Sequence, residues 1–418
     1  MQDKEFFIKL FRAAVDAADP ERTIAAHLPP KPKGRTIVIG AGKGSAQMAS
    51  AFEKVWDGPL EGVVVTRYGF GAPCKDIEII EASHPVPDAA GLVASKRLLE
   101  IVSGLTADDL VVALISGGGS ALLPSPPEGM TLDDEIAVNK VLLASGAPIS
   151  AMNAVRKHLS TIKGGRLAAA AHPARVFSLI VSDIPGDNPA FVASGPTVTD
   201  ETTREDALRI VERYNLDLPE AALEHLNSEK ADAPKPSDDI FAGNEHHVIA
   251  SAAVSLEAAA KVARDMDVEA VILSDAIEGE AREVAHVHAA IAKQVLAKDQ
   301  PFKKPVVILS GGETTVTVRG KGKGGRNSEF LLSLAIDIDG ADGISAFAAD
   351  TDGIDGSEDN AGAFADSTTI ARLLAKGRDA SAYLNSNDAW TAFEATDDLF
   401  APGPTGTNVN DLRALLIR

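Results

Sequence analysis

The chain reads as an α/β protein with largely parallel sheets, divided into two domains, and three observations predict this. Short β-branched runs recur, each ending in a Gly, Ser or Asp cluster and often followed by a helix-like stretch. They are RTIVIGAGKGSA (35–46), EGVVVTRYGFG (61–71), DDLVVALISGGGSALL (108–123), RVFSLIVSDIPGD (175–187), VEAVILSDAIEGEA (268–281), KPVVILSGGETTV (304–316) and DGISAFAADTDGIDG (342–356). None alternates cleanly, as expected of strands buried on both faces, and strands interleaved with helices give parallel sheets. Aromatics are only 5% of a chain that is 45% apolar, so Ala, Val, Ile and Leu must fill the core. Finally, 418 residues exceed one ordinary core. The polar, proline-containing stretch NSEKADAPKPSDD (227–239) supplies a boundary, giving domains 1–235 and 236–418. A weaker break falls at AKDQPFKKP (297–305).

The first segment, MQDKEFFIKLFRAAVDAAD, carries charge on both sides of its apolar positions, and so reads as an amphipathic helix rather than a signal peptide. No apolar run approaches the ~20 residues of a membrane span. Forty basic against sixty acidic residues give a formal charge of −20, which repels nucleic-acid backbones. Any anion site must therefore gather its own cations. The only cysteine, Cys74, excludes an intrachain disulfide and suits a reducing compartment.

In chain order, the first candidate is Gly40-Ala41-Gly42-Lys43-Gly44-Ser45, between a strand and an amphipathic helix. Glycines there let backbone amides approach an anion. It is not a Walker A loop, since Ile37 stands at the first glycine position and Gly44 follows the lysine. It is not a full dinucleotide fingerprint either. Ser45 replaces the third glycine, and Thr66 and Arg67 stand where an acidic residue is wanted. A common glycine-rich turn with a solvated lysine explains the segment as well as a lysine set to meet a phosphoryl group. In Ser116-Gly117-Gly118-Gly119-Ser120, three glycines flanked by serines suit a concave nest of N–H groups for an anion.

Five basic residues, Arg156, Lys157, His158, Lys163 and Arg166, fall within eleven positions of an acidic chain. A solvated helix face is the ordinary account. Yet Val155, Leu159, Ile162 and Leu167 put the helix in the core, so the cations would border a cleft. Asp183 and Asp187 in SDIPGD are either turn formers or ligands for a metal or hydroxyl. Glu313 ends the strand at SGGE, and its similarity to LISGGGSA (114–121) hints at two halves presenting alike turns. Arg319-Gly320-Lys321-Gly322-Lys323-Gly324-Gly325-Arg326 alternates cations and glycines, which fits a mobile loop closing over phosphates. Asp350-Thr351-Asp352-Gly353-Ile354-Asp355 is no calcium loop, because Ile354 takes the fifth ligand position. GPTGTNVND, with Asn408, precedes a short last helix or strand.

Together IGAGKGSA, SGGGSALL, NAVRKHLSTIKGGRLA, VSDIPGD, SGP, SGGETTV, GKGGRNSEF, AADTDGIDG and GPTGTNVND resemble, in order, the type II glycerate 2-kinases. Members of that family are often labelled hydroxypyruvate reductases, and their C-terminal part is the MOFRL domain. The motifs run from residue 35 to 411. The resemblance implies a Rossmann-like larger domain, a second α/β domain and an active site in the interdomain cleft. It implies ATP and Mg²⁺, with D-glycerate phosphorylated to 2-phosphoglycerate. The family's catalytic lysine and arginine match Lys43 and Arg326. The expected binding residues are Gly42, Ser116, Gly117, Gly118, Gly119, Ser120, Arg156, Lys157, Lys163, Glu313, Asp352 and Asn408, with Asp183 and Asp187 for metal. The expected partner is the small-molecule substrate in the cytoplasm, without nucleic acid or membrane, and a homodimer is the candidate assembly. An NADPH-dependent hydroxypyruvate reductase is the alternative, favoured by Gly40-Ala41-Gly42 and Arg67.

Overall fold

The computed structural model describes residues 2–418. The chain forms two compact units, one comprising Pro20–Ile249 and the other the chain up to Asp19 together with Ala250–Arg418. Helix α1 (Gln2–Ala17) thus belongs with the C-terminal half, whereas the sequence reading had placed residues 1–235 together.

The unit Pro20–Ile249 is built on strands β1 (Thr36–Ala41), β2 (Glu61–Arg67), β3 (Ile77–Ala82), β4 (Leu110–Ser116), β5 (Arg175–Val181) and β6 (Glu245–Ala250), in the order β3-β2-β1-β4-β5-β6. This is the Rossmann order, and the β1–β2, β2–β3, β1–β4 and β4–β5 pairs are parallel. The sheet is buried on both faces, as the unalternating runs required. Ile37, Ile39 and Ala41 of β1 join one cluster, with Ala94 and Leu98 of α2 (Ala89–Ile101). Val38 joins the other, with Met48, Ala49 and Phe52 from the helix Ser45–Val55 that follows β1. Strand order reverses between β1 and β4, where open α/β sheets bind ligands beyond the strands' carboxyl ends.

The second unit holds a mixed sheet. Its strands are β7 (Glu269–Ser274), β8 (Val306–Ser310), β9 (Ile344–Asp350), β10 (Gly362–Asp366), β11 (Leu399–Phe400) and β12 (Asp411–Ile417), in the order β11-β10-β9-β12-β8-β7. Only β7–β8 is parallel. The β9–β10, β9–β12, β10–β11 and β12–β8 pairs are antiparallel, so the second α/β domain has its own, mixed topology. One face packs on Ala281–Lys298 and Arg326–Asp337, through Ile308, Ala346 and Leu415. The other face takes Phe6, Phe7, Leu10 and Phe11 of α1 against Phe347, Leu309 and Leu416. The apolar stripe read from the first residues therefore closes the C-terminal sheet, and Ser255 Oγ donates to the Ala14 carbonyl at 2.8 Å. Among the described residues no helix is long and apolar enough to cross a membrane.

Candidate active site

Ala41 and Ile115 are the last paired residues of β1 and β4, and the two glycine turns leave the sheet side by side. Gly42 has φ +143°, and a Cβ there would lie 2.2 Å from Ser116 Oγ and 2.4 Å from its carbonyl oxygen, so only glycine fits. Ser116 Oγ accepts from Gly44 N at 3.0 Å and pairs with Ser45 Oγ at 3.1 Å. Lys43 N donates to the Gly117 carbonyl at 2.9 Å, and Thr66 Oγ1 donates to the Lys43 carbonyl at 3.1 Å. The lysine's backbone is thus pinned on both sides, while among the described residues nothing pairs with its ammonium.

The three consecutive glycines admit three different neighbours. A Cβ at Gly117 would meet Asp183 Oδ2 at 1.9 Å, and one at Gly119 would meet Ala193 Cβ at 2.6 Å. At Gly118, φ is +76° and the Cβ position lies 3.0 Å from Cγ and Cε of Lys43 and from His84 Nε2. Lys43 thus lies across the turn with His84 beside it, and Asp183 packs on Gly117. Asp187, further along the same loop, is half-buried at φ +51°. Two carboxylates are a donor set of the kind that suits Mg²⁺, which is commonly held by one or two carboxylates plus substrate phosphates. Among the described residues no group of three or more potential ligands forms an all-protein cage.

Ser120 Oγ pairs with Ser194 Oγ at 2.8 Å, Ser194 Oγ donates to Asn153 Oδ1 at 3.1 Å, and Arg156 NH1 donates to the same oxygen at 3.3 Å. A polar chain thus runs from the glycine turn to Arg156, through two consecutive left-handed residues, Ala193 (φ +53°) and Ser194 (φ +60°). Such strain is held in place where surroundings over-determine it, often at functional sites. Burial lowers the Arg156 pKa, with Glu135 opposing.

The other cations of that segment are engaged internally. Lys157, 3% exposed, pairs with Asp200, and Lys163, 2% exposed, reaches Glu135 Oε1 at 2.7 Å. His158 meets the Ala231 and Thr202 carbonyls. Arg166 donates to the carbonyls of Lys157, Lys163, Ala231 and Asp232. Lys157 and Lys163, expected to line a cleft, are thus held in internal ion pairs, whereas Arg156 meets the amide oxygens of Asn139 and Asn153, and His158 and Arg166 meet backbone carbonyls.

In the second unit, α3 (Arg326–Asp337) begins at the candidate arginine. Asp355, fully buried, accepts from Asn327 N (2.9 Å), Ser328 N (2.8 Å) and Ser328 Oγ (2.7 Å), and so caps the helix. Burial raises its pKa against these hydrogen bonds. Arg326 Nε donates to Asp411 Oδ1 at 2.8 Å, NH2 pairs with Asp350, and NH1 lies 3.9 Å from Glu313 Oε1. Burial opposes the charge of Arg326, but Asp411, Asp350, Glu313 and Asp355 outweigh it and raise its pKa. Burial pushes Asp350 well above the carboxylate range, with Arg326 opposing. Asp411 also takes Asn327 Nδ2 at 2.8 Å and the fully buried Arg413.

The DTDGIDG motif is therefore a mount for Arg326. Asp350 grips it, Asp355 caps its helix, and Asp352 accepts from Ile354 N at 2.8 Å within the turn. Asn408 Oδ1 accepts from Asn410 N at 3.2 Å, ahead of Asp411.

The glycine-cation loop is anchored. Asn387 Oδ1 accepts from Arg319 N (2.7 Å) and Gly320 N (3.0 Å), Gly322 N reaches the Ser386 carbonyl (3.1 Å), and Lys323 N reaches Asp388 Oδ1 (2.9 Å). A Cβ at Gly320 would lie 2.0 Å from Ser386 O, so this glycine serves close backbone approach rather than mobility. Asp350, Asp355, Asp411 and Arg413 were missed as a group by sequence reasoning. Their signal was the clustering of Asp around Gly in two turn-rich motifs.

Comparison with known proteins fits this geometry. Residues 6–227 match the Domain of unknown function (DUF4147) and residues 306–411 the MOFRL family. The D-glycerate 2-kinase of Thermotoga maritima is 40% identical, covering 98% of this chain and 97% of its own. A "Putative hydroxypyruvate reductase" of Agrobacterium vitis is 53% identical, covering 98% and 93%. The Mus musculus glycerate kinase is 32% identical, covering 98% and 92%. The crystal structure of the Thermotoga maritima glycerate kinase superposes with a TM-score of 0.91 at 39% identity, covering all of both chains. With this similarity over its full length, the chain belongs to the glycerate 2-kinase family that carries a MOFRL domain.

Proposed function

We propose that the chain transfers the γ-phosphoryl group of ATP to the 2-hydroxyl of D-glycerate, giving 2-phosphoglycerate and ADP. The observation that supports this most is Lys43, fixed through its backbone at the β1–β4 reversal with an unpaired ammonium, in a chain whose full-length relatives include named glycerate kinases. Phosphoryl transfer needs positioning and charge neutralisation more than covalent chemistry. The glycerate 2-oxygen forms its bond to the γ-phosphorus as the bond to the bridging oxygen breaks, its hydroxyl proton passes to solvent, and ADP leaves. Lys43 neutralises charge on the transferring phosphoryl group, and Arg326, in the second unit, is the other catalytic cation of this reading. Gly42 and the Ser116–Ser120 turn hold phosphate or carboxylate oxygens, with Arg156 supporting that turn. Glu313, which lies near Arg326, and Asp352 and Asn408 contact nucleotide or acceptor in this reading. Asp183 and Asp187 would hold Mg²⁺, which supplies further neutralisation of the phosphates when bound. A cytoplasmic location belongs to the same reading, with a homodimer as its candidate assembly.

Purified protein given ATP, Mg²⁺ and D-glycerate should release ADP in proportion to glycerate consumed. The same protein given NADPH and hydroxypyruvate should leave the reduced-nicotinamide absorbance unchanged. Nicotinamide oxidation without ADP release would replace the kinase by the reductase that the Agrobacterium vitis name describes. Loss of coupling between Lys43→Ala and Arg326→Lys in a double-mutant cycle on kcat would separate the two cations into different sites.

A further inference from the structure

We propose that Arg67 and His84 form the pocket for the acceptor's carboxylate, on the flank of Lys43. This deepens the kinase reading and rests on it. Arg67 ends β2 and His84 lies just beyond β3, the two strands on the same side of β1. Thr66, next to Arg67, donates to the Lys43 carbonyl, so the end of β2 is tied to the lysine turn. His84 Nε2 and Lys43 Cε both lie 3.0 Å from the space above Gly118, which puts the two side chains next to each other.

The guanidinium of Arg67 lies 3.8 Å from the Phe70 ring centroid. Stacking occupies a guanidinium face and leaves the N–H donors on its edge available, in the fork that matches a carboxylate. Among the described residues neither Arg67 nor His84 has a side-chain hydrogen-bond partner. The loop that carries His84 is nevertheless built. Asp88 takes Tyr68 Oη at 2.8 Å and Gly91 N at 3.1 Å, and also the backbone of Ser83, so it fixes the residue before the histidine. In an acidic protein, two cations without a carboxylate partner beside a neutral hydrogen-bonding ring make a receptor for a small organic anion.

Burial, Lys43 and Arg67 hold the His84 pKa down at about 4, so the ring is neutral near pH 7. A base that weak does not suit removal of an alcohol proton. It suits a hydrogen bond donated to a carboxylate whose charge Arg67 balances.

The test varies D-glycerate and ATP separately for His84→Ala, His84→Gln and Arg67→Ala, and measures D-glycerate binding calorimetrically without nucleotide. His84→Ala should raise both KM and Kd for D-glycerate by roughly 10–100-fold, the loss expected of a hydrogen bond to a charged group. KM for ATP should stay within about two-fold, and His84→Gln should recover part of the loss. Arg67→Ala should give at least as large an effect on D-glycerate. Unchanged D-glycerate KM and Kd in His84→Ala would overturn the proposal. So would a raised KM for ATP alone, which would make this a nucleotide contact, or a collapsed kcat at unchanged KM, which would make His84 the base. If the unaltered protein fails to turn over D-glycerate with ATP, the kinase reading fails by itself. Binding of glycolate, lactate and tartronate to the unaltered protein and to the two alanine variants then still decides the pocket. Retained binding in both variants rejects it.

Discussion

Lys43 and Arg326, the two proposed catalytic cations, lie one in each unit, and the chain presents them in opposite ways. Lys43 is fixed through its backbone and free at its ammonium. Arg326 is fixed through its side chain, by Asp411, Asp350 and Glu313, on a helix capped by Asp355. A free ammonium adds charge without supporting the fold. A gripped guanidinium neutralises carboxylates that would otherwise repel one another in a buried place, so it supports the fold whatever it does in catalysis. The two should separate when stability and turnover are measured together.

The largest effect is expected at Arg326. Arg326→Ala leaves Asp350 and Asp411 facing each other without their shared cation, apart from what Arg413 gives Asp411. Breaking a buried pair from one side costs about 3–5 kcal/mol. Denaturant unfolding should show a loss of that order, together with loss of turnover. Adding Asp350→Asn should restore part of the stability and none of the activity. A destabilisation below about 1 kcal/mol would erase the contrast with Lys43.

Lys43→Ala should show the complement. Removing one preorganised charge-stabilising donor lowers kcat by ~10²–10³-fold. Stability should change by no more than about 0.5 kcal/mol, the range of surface substitutions away from special features. A mutant that unfolds readily would show that the lysine stem packing on Gly118 matters more than its charge. Gly118→Ala sharpens the point at smaller scale. A left-handed non-glycine residue costs roughly 1–2 kcal/mol, and the new methyl would press on Lys43 and His84. Turnover should fall by about ten-fold if charge placement, rather than charge alone, matters. A Gly118→Ala protein with normal kcat would mean that Lys43 adjusts freely.

How much of this could be read in advance depends on how local each cause is. All seven β-branched runs became strands, because burial on both faces leaves its mark in a few consecutive residues. The glycine turns at 40–44 and 117–119 were readable for the same reason, since a close approach or a positive φ demands glycine at that position. The partners were not readable. Lys157 and Lys163 looked like cleft cations because Asp200 and Glu135 lie 43 and 28 residues away. The glycines of 320–325 looked mobile because the backbone they approach, at Ser386 and Asp388, arrives from a later part of the chain. Helix α1 carried a legible apolar stripe, but nothing in it said that the stripe faces Phe347 rather than the neighbouring strands. The strands Ile77–Ala82, at a sheet edge, and Gly362–Asp366, inside the second sheet, lack a strong apolar run and went unnoticed.

A smaller effect follows from what surrounds the gripped arginine. The same unit buries His288, whose Nδ1 meets the Val284 carbonyl at 2.8 Å and whose Nε2 meets Ser310 Oγ at 2.9 Å. Burial first, and then Arg413, hold its pKa at about 4, below the 6.5 of a free imidazole. The folded state therefore keeps His288 neutral where the unfolded chain would protonate it. Its contribution is complete above pH 6.5 and is lost as pH falls toward 4, by at most about 3 kcal/mol over that window. Asp350 and Asp355, whose pKa values are raised, act with the opposite sign, so the whole-protein profile mixes both. His288→Asn isolates one part, since Asn keeps a donor for the Val284 carbonyl and does not titrate. Amide exchange in Ala281–Lys298 and β8 should show the variant less protected at pH 7. That gap should narrow by about 1–3 kcal/mol by pH 4.5, as the histidine in the unaltered protein is pressed to take a proton. A gap that stays constant across the window would mean that His288 does not titrate against folding.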